Sequence, residues 1–276
     1  MSNASDYFEY SIVKMVNQHR GETLPNRLPK WLVDEGVIPG SRILYAEGIG
    51  SKNRANKTDV IIYLSAGEPI KISAKLMNAD HFGNWYGHTR FLQEFGIDAF
   101  SRMTQAATAF ANYWARTATA PYVGVSICFG RRPGRTGQDF TDIFTTQDIL
   151  SVAKGYGNGI AIANCMYIAD IVAPSIPKLI DSLDEITPET VNAATESFKV
   201  AYRPVNPMTE ASNLGKCVYT RFSPNKKLSH LTIIRTPEEL FQLGSFVQVE
   251  PSRINHNHIL NDLRDSYNIL IPKKPK

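Results

Sequence analysis

Cysteine is scarce in this chain: Cys128, Cys165 and Cys217 are the only three in 276 residues. They are widely spaced, odd in number and set in apolar runs, which fits reduced, buried thiols in a cytoplasmic protein better than a disulfide framework. No CxxC pair is present, so no cysteine-based metal site is expected. Long apolar runs are missing as well. Nothing approaches the roughly 20 residues a membrane span needs, and the amino-terminal MSNASDYFEYSIVKMVNQHR lacks the apolar stretch of a secretory signal. Net charge is low, +4 at pH 7, so the surface as a whole is no nucleic-acid magnet, although a local basic face remains open. Internal repeats, low-complexity tracts and long linkers are absent, and one domain over residues 1–276 is the expectation.

Some familiar chemistries are absent too. GYGNG at Gly155–Gly159 has neither the phosphate-loop lysine nor dinucleotide-binding spacing and reads as a flexible turn. No GxSxG elbow occurs, and no cysteine has a convincing histidine partner. INHNHIL, Ile254–Leu260, holds a literal His-Asn-His, but the nuclease motif of that name spreads its residues over a longer unit; His256 and His258 could share a strand face, without an evident third ligand.

What is present is a hydrophobic content of 43%, enough for a large core. Residues 6–18 carry apolar side chains at Phe8, Ile12, Val13, Met15 and Val16, a helical stripe with Ser5 as its cap. Ser41–Ala46 reads as a strand. Asp59–Leu64 and Ile70–Leu76 are rich in Val, Ile and Tyr around SAGEP, so they predict a β-hairpin turning at Gly67 and Pro69. From about His88 to Thr117 one or two helices are expected, and Pro121–Gly130 has the β-rich apolar character of a central strand. Farther on, Thr187-Pro188 and Thr236-Pro237 start helices, the second with Glu239 completing a capping box. KCVYTRF and LTIIR read as strands between them.

The hairpin carries the chemistry. An aspartate at the mouth of one strand and a lysine at the end of the next bring a carboxylate and an ammonium to one edge of a sheet. Phosphodiester hydrolysis needs a divalent cation held by carboxylate oxygens, and a group that orients or deprotonates a water. Asp59 and Lys75 are placed for those roles. Asp59, a strand, a turn and then Ser73-Ala74-Lys75 resemble the PD-(D/E)xK nuclease superfamily, and Lys57-Thr58-Asp59 resembles type II restriction endonucleases in particular. Two positions depart from the pattern: Thr58 replaces the proline, and Ser73 stands where an acid is usual, which removes one metal-binding carboxylate.

The resemblance covers residues 5–130. It implies an α/β fold with a restriction-endonuclease-like core, a central mixed β-sheet flanked by helices, followed over 131–276 by further α+β elements for dimerisation and DNA recognition. It also implies Mg2+, with Asp59 as ligand, the Ala74 carbonyl completing the coordination, and a glutamate of the first helix joining in. Glu9 is the first choice and Glu47, just after the first strand, the competitor. No organic cofactor is implied.

Two loops are candidates for double-stranded DNA. NADHFGNWYGHTR, which follows Lys75 closely, offers Asn78, Asn84, His88 and Arg90, although His81 or His88 could equally be packed core histidines. GRRPGRTGQDF is cationic and backbone-permissive through Arg131, Arg132 and Arg135. Lys57 is a further DNA-contact candidate, and RFSPNKKLSH, Arg221–His230, could track the backbone. The expectation is a Mg-dependent type II restriction endonuclease acting as a homodimer on palindromic sites. A structure-selective or repair nuclease with the same core is the alternative; so is a non-catalytic DNA-binding protein in which Asp59 and Lys75 form a plain salt bridge.

Overall fold

The computed structural model describes residues 3–49, 56–79, 81–83, 86–131, 136–210 and 215–274. The chain begins with α1 (Asn3–Gln18) and α2 (Lys30–Asp34), then runs through β1 (Ile43–Gly48), β2 (Val60–Leu64), β3 (Ile70–Lys75) and the short β4 (His81–Gly83). A long α3 (His88–Trp114) leads to β5 (Val125–Gly130) and β6 (Gly137–Asp139). Next come α4 (Asp148–Ala153), β7 (Cys165–Ile168), α5 (Ile176–Asp181), β8 (Leu183–Asp184) and α6 (Pro188–Thr195). The last stretch holds β9 (Lys199–Pro204), β10 (Thr220–Pro224), β11 (Thr232–Ile233), α7 (Pro237–Phe241), β12 (Gly244–Gln248), α8 (His256–Tyr267) and β13 (Ile269–Leu270). No helix among the described residues is long and apolar enough to cross a membrane.

These elements form two compact units, each made of two stretches of chain: Met1–Phe82 with Thr146–Ser197, and Gly83–Thr145 with Phe198–Lys276. The first is a mixed α/β unit whose sheet runs β1-β2-β3-β7-β8. β1, β2 and β3 form an antiparallel meander, with Val60 opposite Ile72 and Ile62 opposite Ile70. β7 then lies parallel to β3, pairing Ser73 with Met166 and Lys75 with Ile168. Strand β3, which carries the candidate lysine, is therefore the middle strand of the sheet.

Side chains alternate along these strands, so one face is apolar. Ala46, Val60, Ile62, Ile70, Ile72 and Ala74 bury on it, and Phe8, Ile12, Met15 and Val16 of α1 pack into the same cluster. That stripe has the i, i+4, i+7, i+8 spacing of an amphipathic helix. Asn17 fixes the docking: its side-chain amide donates to the Ala46 carbonyl at 2.9 Å and its carbonyl oxygen accepts from the Ala46 N–H at 2.8 Å. The helix starts earlier than its sequence stripe, at Asn3, so Ser5 lies inside the first turns and is not the cap. From the second stretch of chain, Asn164 clamps β3, accepting from the Lys71 N–H at 2.7 Å and donating to the Pro69 carbonyl at 2.9 Å.

The strand beside β3 is thus β7, and the apolar strand within Pro121–Gly130 has another place. It forms β5, buried along its whole length, in the second unit. There β9 lies between β5 and β6, antiparallel to both. Continuous burial told of a central strand but carried no information on which sheet it would join. In the same unit α3 is broken at Gly96, whose φ of 78° departs from helical values. Both foreseen helix starts are present: Thr236 forms the expected capping box with Glu239 at α7, and Thr187 forms an unforeseen one with Thr190 at α6.

Candidate active site

Asp59 immediately precedes β2 and Lys75 ends β3, and the antiparallel pairing of those strands brings the two to the same end of the sheet. Lys71, Ser73 and Lys75 point away from the α1 face, since Ile70, Ile72 and Ala74 occupy it. Lys75 Nζ donates to Asp59 Oδ2 at 2.8 Å and to the Ala74 carbonyl at 2.8 Å, and the Ala74 N–H donates to the same Asp59 oxygen at 2.8 Å. Both side chains are mostly screened from solvent, 18% exposed for Lys75 and 17% for Asp59. The aspartate backbone is held as well: its N–H donates to the Ile72 carbonyl at 2.8 Å, and its carbonyl accepts from Ile49 at 3.0 Å. Ser73 is buried between the two lysines of its strand face. Thr58, at the position of the motif proline, is buried too, and its hydroxyl has no hydrogen-bond partner among the described residues.

Glu9 joins this pair electrostatically. Its carboxyl pKa is pushed up to about 7, first by burial and then by the negative charge of Asp59, with Lys75 opposing the shift. The helix reaches the sheet end because Val13, one turn beyond Glu9, packs against Gly48 beside the Asp59 backbone; a Cβ at Gly48 would lie 3.9 Å from both. Glu47 projects from the same sheet face as Lys75, but it is exposed and accepts the Tyr63 hydroxyl at 2.8 Å. Of the two candidate glutamates, Glu9 is the one coupled to the Asp59–Lys75 pair.

A divalent cation needs hard oxygen donors converging on one point. The Asp59 carboxylate and the Ala74 carbonyl do so already, both within 2.8 Å of a single positive centre, the Lys75 ammonium. The half-buried Glu9 carboxyl supplies a third oxygen group whose ionisation a nearby cation would favour. Asp59 and the Ala74 carbonyl are hard oxygen donors of the kind Mg2+ takes, but with Ser73 in place of an acid no cluster of three or more His, Cys, Asp or Glu side chains forms among the described residues. Asp170, which spacing arguments missed, lies just beyond β7, and its carboxylate accepts the Met77 N–H at 3.3 Å. No local pattern pointed to it, because parallel pairing of β7 with β3 brings it there from 93 residues away in sequence.

The expected DNA contacts are distributed differently. Asn78 is exposed after β3. Lys57 is 8% exposed, and its ammonium donates to the Phe82 carbonyl at 2.9 Å, tying loops together inside the first unit. His88 is 2% exposed in the second unit, with Nε2 donating to the Val218 carbonyl at 2.8 Å and edge contacts to Phe100 and Tyr219. It is a packed core histidine, its pKa lowered by burial. Arg90 stacks over the Tyr86 ring at 4.0 Å and pairs with the buried Glu94 carboxylate at 2.6 Å, so its guanidinium is spent internally. Arg131 is partly exposed at the end of β5. Asn84, Arg132 and Arg135 lie outside the described residues. Of the third cationic stretch, Arg221 pairs with Asp262 at 3.3 Å, while Lys226 and Lys227 are exposed beyond β10. The two histidines of INHNHIL begin α8, not a strand, and the buried His256 accepts the Lys216 N–H through Nδ1 at 2.7 Å.

Comparison with protein-family models, with curated proteins and with solved structures yields no match.

Proposed function

We propose that the protein is a Mg2+-dependent DNA endonuclease of the type II restriction class, with its catalytic centre at the end of the β2–β3 hairpin. The observation that carries the reading is the convergence of Asp59, the Ala74 carbonyl and Lys75 within 2.8 Å contacts, with the Glu9 carboxyl coupled to them. The mixed sheet flanked by helices is consistent with a restriction-endonuclease-like core. In this reading Asp59, the Ala74 carbonyl and Glu9 would hold the ion. Bound Mg2+ supplies Lewis-acid stabilisation of the charge that develops on the scissile phosphate and acidifies a water. Lys75, as an ammonium, orients the attacking water, and its charge favours the anionic transition state. Ser73 offers a hydroxyl where a second strand carboxylate is usual, so Glu9 carries more of the metal's charge demand.

A non-catalytic DNA-binding protein would also accommodate an Asp59–Lys75 ion pair. A pair kept only for stability has no use for a third, half-buried carboxyl at the same point, since burying that group opposes its ionisation. Digestion of phage and plasmid DNA separates the readings. With Mg2+ the wild type is expected to give discrete fragments whose ends map to one sequence, and with chelator none. Lys75→Ala and Asp59→Ala should each lower cleavage by roughly 100-fold or more. Cleavage indifferent to Lys75 removes the lysine from the mechanism; intact DNA under all conditions returns the pair to a structural role. Fragments set by DNA shape instead of sequence would favour a structure-selective nuclease with the same core.

A further inference from the structure

The second unit contains a cavity of about 500 Å3 formed by β11, β13, α8 and the carboxyl-terminal strand exit. Its floor is aliphatic, built from Ile233, Leu260, Leu270 and Ile271, with Ile233 and Leu270 directly paired across the parallel β11–β13 ladder. Its rim is cationic, with Arg235, Arg264 and Lys273 among the lining residues and no carboxylate. Lys273 Nζ donates to the neutral Asn257 side-chain oxygen at 2.9 Å. Arg264 is paired with Asp265 at 2.7 Å, and the Glu239 carboxylate near Arg235 is committed to the backbone N–H groups of Arg235 and Thr236. Three lining cations against the two neighbouring carboxylates, Glu239 and Asp265, leave the rim a formal excess of one positive charge, and Lys273 is the cation held by a neutral partner.

An occupant must present an anionic group to the rim and a compact, weakly polar body to the floor. The volume is that of one small molecule. Guanidinium groups grip phosphate oxygens through their planar fork and also stack on flat rings, whereas an aliphatic floor accepts either face of a base. We propose that this cavity binds a free nucleoside 5′-monophosphate, with the phosphate between Arg235 and Lys273 and the nucleoside on the aliphatic floor. The proposal stands apart from the cleavage reading, because none of these residues belongs to the candidate active site.

Calorimetric titration of the full-length chain with adenosine 5′-monophosphate, in chelator so that divalent chemistry is absent, tests it. Saturable binding is expected for the wild type. It should weaken by at least about tenfold for adenosine, for inorganic phosphate alone and in the Arg235→Gln/Lys273→Gln variant, as the loss of charge-assisted contacts implies. Ile233→Glu, a change at a half-exposed side chain that places a carboxylate over the floor, should abolish it. No saturable binding, equal binding by the double variant, or equal binding of adenosine overturns the proposal. So does a 5′-phosphorylated oligonucleotide that binds at least about tenfold tighter than the mononucleotide and loses that advantage in the double variant, which would assign the cavity to a DNA end.

Discussion

Glu9 shows how one residue's environment separates a half-buried carboxyl from a surface acid. Its pKa of about 7 lies above the ordinary 4.5, so the folded state holds its proton longer than the unfolded chain does. Stability contributed this way is present below pH 4.5 and is lost as pH rises through 7. Glu9→Gln should therefore leave the melting temperature unchanged at pH 4 and raise it at pH 8, while lowering Mg-dependent cleavage on the order of tenfold or more. A melting temperature that falls at pH 8 would remove the electrostatic assignment. His88 works in the opposite sense. Burial, resisted by its bond to Val218, depresses its folded pKa below the ordinary 6.5. The unfolded chain then takes up a proton first as the solution is acidified, and stability is lost below about pH 6.5. His88→Phe, which keeps the ring contacts to Phe100 and Tyr219, should flatten that acid limb in a series of thermal melts; an unchanged limb assigns it to other groups, His256 among them.

At the scale of elements, the β2–β3 hairpin is the device that makes the site, and its turn is the part most exposed to substitution. Gly67 has φ of 79°, and a Cβ there would meet the Gly36 carbonyl at 2.6 Å and Ile38 Cγ1 at 2.8 Å. Gly67→Ala carries the left-handed backbone penalty of about 1–2 kcal/mol plus the clash. A lowered urea midpoint with cleavage reduced in proportion to unfolded protein is the expected result; an unchanged midpoint would show that the turn has room to relax. The hairpin, α1 and both proline-initiated helices were legible in the sequence, because period-2 and period-3.6 patterns and capping residues are local signals. The stretch from about His88 to Thr117 left one helix or two open, and the break at Gly96 was decided only in the fold.

At the scale of the whole molecule, the chain leaves its first unit after Phe82, within β4, and returns at Thr146, so each unit draws on distant segments. A homodimer is expected if the enzyme cuts both strands of a palindrome, since each chain carries one Asp59–Lys75 pair. Sedimentation equilibrium at cleavage-competent concentration should give twice the chain mass; a monomer that still cuts both strands in one encounter would overturn that arrangement.

The sequence by itself determined the hairpin, the Asp59–Lys75 spacing and the first-helix stripe carrying Glu9, because these depend on residues near one another in the chain. Only the tertiary structure decided that β7 and not the Pro121–Gly130 strand lies beside β3, that Glu9 and not Glu47 couples to the pair, and that Lys57, His88 and Arg90 are engaged inside the protein. The physical reason is the same in each case. Strand partners, burial of a charge and the pairing of a guanidinium are set by contacts between residues far apart in sequence, and local periodicity carries no record of them.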